Sequence, residues 1–270
     1  MVGNVMGRIT PDSFFGLPEW LMTTLFLIAM AASCEIGFKL GLRSRVEDKT
    51  KALVPMVAAS ILGIMGLLLG FTMSMSVSRF DTRRRLVLEE ASAIKTAYLR
   101  MQALPEPESL ELENLLRQYA ASRLYVSLNA LNMRIIEQGR KEDARLQNEI
   151  WSRTVVLARK DPHSMPVALL MESLNNAYDV AGSRWISFVA HVPESVVYVN
   201  AVIGLIAVLL VTYDFGMTGH RHLLSTAMMV FSISMVMSLI VGLDRPHSGV
   251  IRVSQQPLVE LQQELAHPAH

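Results

Sequence analysis

Long apolar runs bracket a long polar middle in this chain. Four stretches come close to or exceed the roughly 20 mostly apolar residues that a helix needs to cross a bilayer: 20–38, 52–77, 196–213 and 223–243. Between Arg79 and Pro193 the pattern changes, and apolar residues recur every three or four positions among charged ones. That is the period of amphipathic helices, and no strand-like alternation or repeat stands out. The expected fold class is therefore all-α: a four-pass integral membrane protein with a large helical insert between spans two and three. The expected division is an N-terminal transmembrane hairpin (1–78), the insert (79–194), a C-terminal transmembrane hairpin (195–243) and a tail (244–270). A cleaved leader is the weaker reading of the first run. AMAAS at 29–33 resembles a cleavage site, but the apolar stretch is long and no basic start adjoins it.

The insert reads as four helical pieces. RFDTRRRLVLEEASAIKTAYLRMQAL (79–104) prolongs the second span, with Arg85 placed to meet Asp81 or Glu89. LPEPES (104–109) breaks the chain, and a second helix starts near Ser109 with Glu111 and Glu113 in its first turn, where the dipole favours them. Leu112, Leu116, Tyr119, Leu124 and Leu128 give it an apolar face, and Gly139 is the expected stop. A third helix is expected over 141–159, closed by Asp161-Pro162, and a fourth from Pro166, a favourable first position.

Composition supports the membrane class: 51% of the 270 residues are hydrophobic. With 25 Lys and Arg against 24 Asp and Glu, no bulk charge points to nucleic acid. Short-range Lys/Arg placement sets orientation. With the N-terminus inside, Arg8, Arg79, Arg83, Arg84, Arg85, Arg184, Arg245 and Arg252 flank the cytoplasmic ends, against Arg43, Arg45, Lys49, Lys51 and Arg221 outside. The excess places both termini and the insert in the cytoplasm. In the first span, Glu35 and Lys39 stand four apart in the order that favours pairing near the headgroups.

Candidate chemistry is sparse. Phosphate-cradling, nucleophile-elbow and zinc-protease motifs are absent, so no enzyme, cofactor or metal is expected. Cys34 is the sole cysteine, which leaves no internal disulfide or cysteine-built metal site. His220 and His222 lie two apart and do not share a helical face. A Cu(I) site built from Met73, Met75, Met235 and Met237 lacks supporting His or Cys, and methionine is an ordinary filler of helical contacts.

The most informative pattern lies on the second span. Ser60, Gly63, Leu67, Phe71, Ser74 and Ser78 step by three or four, so they share one helical face that continues through Asp81 and Arg85. If that stripe lines a water path, Leu67 and Phe71 form an apolar constriction between hydroxyl rings, a geometry that gates by dewetting. A competing use of this helix is packing, through the small-residue pair Gly66 and Gly70 on an adjacent face. A pore requires several copies, since four spans cannot enclose and shield a water path.

These residues carry a resemblance. LGIMGLLLGFTMSMSVSRFDTRR (62–84) is similar to the second-span segment of bestrophins, with Leu69-Gly70-Phe71 followed by Arg79, Phe80 and Arg84. The run RFDTRRRLVLEEASAI, the AYLR after it and the tail LDRP…VSQQPL resemble the bacterial bestrophin-like domain family more closely still. Bestrophins are homopentameric ion channels of mainly helical fold, with a large cytoplasmic region between spans two and three. The resemblance therefore implies self-association in a bacterial inner membrane, with inorganic ions as the permeating species and the bilayer as the surroundings. It places the neck at Gly63, Leu67 and Phe71, and the helical stripe flanks that neck with Ser60, Ser74, Ser78, Asp81 and Arg85. Gly63 departs from the bulky residue of bestrophins, and Asp81 stands where they carry an aromatic residue, so an acidic ring at the pore mouth would favour cations. The alternative function is a non-conducting membrane scaffold or sensor whose insert binds a partner.

Overall fold

The computed structural model describes residues 19–44, 52–244 and 253–266. The lead-in, the basic part of the first loop and residues 245–252 lie outside these, and with them Arg8, Arg45, Lys49, Lys51, Arg245 and Arg252 of the orientation argument. The described elements are all helices: α1 (Glu19–Arg43), α2 (Leu53–Met101), α3 (Glu108–Leu128), α4 (Met133–Lys160), α5 (Met165–Val189), α6 (Glu194–Thr218), α7 (Leu223–Asp244) and α8 (Gln256–Ala266). Four helical segments are long and apolar enough to cross a membrane, and they include α1, α7 and parts of α2 and α6. The protein is a four-span membrane protein. The chain forms two compact units, Met1–Ser78 with His191–Ile251, and Arg79–Ala190 with Arg252–His270.

In the first unit α1 and α6 pack most closely. Gly37 and Gly41 on α1 meet Thr212 and Gly216 on α6. A methyl at Gly41 would overlap the carbonyl oxygen of Tyr213 and lie 2.8 Å from the Cα of Gly216. Lipid tails offer helices no hydrophobic reason to associate, so close backbone approach supplies the dispersion that holds this pair. Met30, Met65, Leu69, Val197, Ala207, Val208, Ile233 and Met237 fill the core around it. Two polar side chains inside are bonded across helices: Ser33 donates to Leu205 O (2.8 Å), and Asn200 Nδ2 donates to Thr72 Oγ1 (3.0 Å). Asp244, 1% exposed, accepts the Val192 N–H at 3.0 and 3.1 Å and so caps backbone at the entry of α6.

The second unit is a helical bundle around Ile94, Ala97, Met101, Leu116, Tyr119, Leu146, Ile150, Leu170 and Leu174. From the tail, α8 buries Leu258, Leu261 and Leu265 in the same core. Burial of Tyr119 pushes its hydroxyl up to about 12, and that hydroxyl takes a hydrogen bond from Gln147 (3.0 Å).

The centre of this unit is ionic. Glu90 of α2 is wholly buried and bonded to Arg123 of α3 and Arg184 of α5. Arg123 also reaches Asp143 of α4 (3.0 Å), and Arg184 reaches Ser127 (2.8 Å) and Gln255 (2.6 Å). Burial alone would push the Glu90 carboxyl up, but the two guanidiniums hold it below the usual range. Nearer the membrane span, buried Arg83 donates to Ser187 O (3.1 Å) and Ala190 O (2.7 Å), satisfying the last carbonyls of α5. Of three consecutive arginines, Arg83 is buried while Arg84 and Arg85 are exposed.

One expected boundary is corrected. Gly139 does not stop the second helix of the insert. That helix ends at Leu128, and the next begins at Met133 because the Asn132 side chain accepts the Arg134 N–H at 3.1 Å as an N-cap. Gly139 instead lies within α4, where its missing side chain admits Val126 of α3.

Two outcomes follow from this packing. Gly41→Leu forces α1 off α6 and costs about 1–3 kcal/mol, read as a fall in Tm in detergent that Gly182→Leu, where an added side chain starts in open space, does not produce. Glu90→Gln leaves two mostly buried guanidiniums short of charge and costs about 3–5 kcal/mol; a Tm loss no larger than that of exposed Glu137→Gln would sink the assignment. The sign with pH is set by the lowered carboxyl. Its contribution is complete above the ordinary value of 4.5 and is lost as pH falls through the lower folded value, so acid destabilises the wild type more than Glu90→Gln.

Candidate pore-lining face of the second span

Along α2 the apolar, hydroxyl and charged residues divide by face. Ala58, Met65, Leu69, Thr72 and Ser76 are buried against the rest of the chain. At about 100° per residue, the stripe Ser60, Gly63, Leu67, Phe71, Ser74 and Ser78 lies on the opposite side, and every member is exposed. Leu67 is 60% and Phe71 64% exposed, against 5% for Met65 and 7% for Leu69. Asp81 and Arg85 extend the exposed face beyond Ser78. Arg85 pairs with Glu89 (3.5 Å), whereas Asp81 joins no ion pair among the described residues.

The hydroxyls differ in the same way. Thr72 donates to Leu68 O (2.8 Å) while it accepts Asn200, and Ser76 is fully buried beside this face. Ser60 donates to its own helix at Met56 O (2.9 Å) and remains exposed. A methyl added at Gly63, Gly66 or Gly70 would meet nothing within 4 Å. Among the described residues Gly66 and Gly70 therefore pack against no other helix. The close approach between helices falls to Gly37 and Gly41, a pair with the same spacing in α1.

At the other end of the spans Glu35 and Lys39 pair at 3.2 Å, and Arg221 adds two bonds to Glu35 at 3.0 and 3.2 Å. Arg221 also lies over the Phe38 ring at 4.2 Å. Glu35, Phe38 and Arg221 border a cavity of about 280 Å³ together with Cys34, Thr212 and His222. His220 and His222 take separate partners, the Thr218 carbonyl (2.9 Å) and the Phe215 ring (4.8 Å). No group of three or more metal-ligating side chains converges among the described residues. The pairing of Asn200 with Thr72 was missed from sequence, although a lone amide within an apolar run, YVNAVIGL, is the signal that marks such a position.

The comparisons fit this architecture. A comparison with curated proteins finds no match. Among solved structures, a bacterial bestrophin homologue from Klebsiella pneumoniae is similar at 18% identity and a TM-score of 0.60, covering 92% of this chain and 96% of that one. A single-substitution variant of that homologue is similar at 15% identity and a TM-score of 0.65, covering 91% and 96%. At such identities the likeness speaks for the fold. The model of the Bestrophin-like domain matches residues 25–258. By that match, which takes in most of its length, the chain belongs to the Bestrophin-like domain family.

Proposed function

We propose that the protein is an ion channel of bestrophin type, assembled from five copies around α2 in a bacterial inner membrane, with the insert and both termini cytoplasmic. One observation carries the reading: the chain packs one face of α2 against itself and leaves the opposite face, with two large apolar residues between serines, uncovered. A monomer has no use for a protein-free stripe that is neither uniformly apolar nor continuous with its core. Copies arranged around an axis turn it into a lining. Leu67 and Phe71 then form the neck, where water is held only weakly and ions pass when the apolar rings part or wet. Gly63 leaves the neck wider above. Ser60, Ser74 and Ser78 supply wetted hydroxyls on either side, and Gly66 and Gly70 allow close approach between copies. Below, Asp81 forms a ring of unpaired carboxylates, while Arg85 is partly neutralised by Glu89. That ring favours cations at the cytoplasmic mouth.

The test is conduction by purified protein in planar bilayers, with the oligomer mass established in the same preparation. Leu67→Ala with Phe71→Ala removes the apolar rings and raises basal current several-fold. Leu69→Ala, on the buried face, lowers thermal stability and leaves the current per assembled channel unchanged. A monomer in mild detergent, or a correct oligomer without current in wild type and double mutant, refutes the channel and leaves the scaffold reading. For selectivity, Asp81→Asn moves the reversal potential in a salt gradient toward that of an anion path. An unmoved potential removes Asp81 from the permeation route.

A further inference from the structure

The turn between α3 and α4 presents apolar side chains that the chain itself does not cover. Tyr125, Leu128, Leu131 and Met133 are 58%, 63%, 69% and 57% exposed. Such a cluster on a polar helical unit needs an occupant, and the register of the helices indicates which one. Tyr178 of α5 donates to the Gln147 carbonyl of α4 (3.4 Å), and Arg140 of α4 stacks on Trp185 of α5 (4.1 Å). Between these two contacts each helix advances seven residues, in opposite directions, so the pair is antiparallel and in step. Continued by one turn, the register brings Ile136 level with Val189, the last residue of α5. Met133 and Leu131 then reach past the end of α5, whose chain enters α6 at Glu194, only five residues after Val189.

A second contact places the turn at the same end. Arg184, five residues before the end of α5, donates to Ser127, next to the last residue of α3. Ile186 on α5 is itself 66% exposed. The chemistry of the turn suits lipid headgroups. Tyr125 and Trp185 belong to the residue types enriched at membrane interfaces. Exposed Arg134 and Arg140 stand beside the apolar tip, and Lys141 is balanced by Glu137 at 2.8 Å. The local excess is therefore positive, and an apolar tip with a cationic collar is the pattern of a segment resting in the boundary between headgroups and acyl chains.

We infer that the α3–α4 turn is a membrane-surface anchor, with Leu128, Leu131 and Met133 inserted at the headgroup level of an anionic bilayer and Arg134 and Arg140 on its phosphates. The inference rests on the membrane residence of the chain and not on conduction. The anchor gives the insert a second attachment to the bilayer besides the spans, so that forces on the lipid surface reach α3 and α4 directly.

The probe is a bimane label in full-length Cys34→Ser protein, placed by Leu131→Cys or, in a second variant, Met133→Cys. The protein is reconstituted in phosphatidylethanolamine–phosphatidylglycerol vesicles, with and without brominated acyl chains. Val156→Cys, exposed toward the far end of α4, is the control. Brominated lipid is expected to quench the labels at 131 and 133 and iodide to spare them, with the reverse at 156. Iodide quenching at 131 and 133 equal to that at 156 overturns the anchor, because the turn is then in water. Protection of both labels from both quenchers also overturns it, because protein, such as a second copy, then covers the turn. A circular-dichroism melt of each labelled protein confirms that the labels report on folded chains.

Discussion

A carboxylate removed from water must be held by positive charge, and in the second unit Glu90 is held by two arginines on two other helices. The consequence is a four-helix junction. Arg123 carries the network to Asp143 on α4, and Arg184 carries it to Gln255, just ahead of α8. Each guanidinium has several directed donors, so the cluster fixes helix rotation as well as distance. Burying such a cluster does not by itself add stability. It specifies one arrangement, because any slip of a helix strands a charge in an apolar core.

The same helix that carries Glu90 carries the candidate lining. Within the spans α2 buries Met65, Leu69, Thr72 and Ser76, and further on it buries Arg83, Val87, Glu90, Ile94, Ala97 and Met101. In each unit these positions turn one face of the helix to protein. What is left on the other face, from Ser60 to Arg85, is therefore uncovered as a consequence of packing and not by chance placement of serines. Serine alone carries no such meaning: Ser76 and Ser74 are two residues apart and lie in opposite environments.

Glycine shows the same dependence on context. Gly37 and Gly41 have the spacing of Gly66 and Gly70, yet among the described residues only the first pair meets a neighbouring helix, where Gly216 matches it. Lipid-exposed glycine on a spanning helix gains nothing from dispersion with its own subunit. The pair on α2 stays exposed and meets no described helix of the chain. Methionine divides likewise, since Met65 and Met237 fill the core while Met75 and Met235 face outward.

Spans, helical class, the ion pair of Glu35 with Lys39, the break at residues 104–109 and the stripe on the second span were all legible in the sequence. Each depends on local periodicity or on neighbours three to four residues apart. The boundary at Asn129–Asn132 was misplaced because a mid-helix glycine and a capping asparagine compete as signals, and only contact with Val126 decides for the former as a packing residue. In the sequence nothing local separates Glu90 from Glu89, or Arg83 from Arg84 and Arg85. Their burial arises from partners 33 to 107 residues away, and no local rule reports such distances. The sequence by itself determined which segments cross the bilayer and which residues share a helical face, because hydropathy and the 3.6-residue period are properties of short windows. Which face meets protein, which glycines touch and which charges lose water was decided by the tertiary structure alone, because burial is a property of the surroundings and not of the residue.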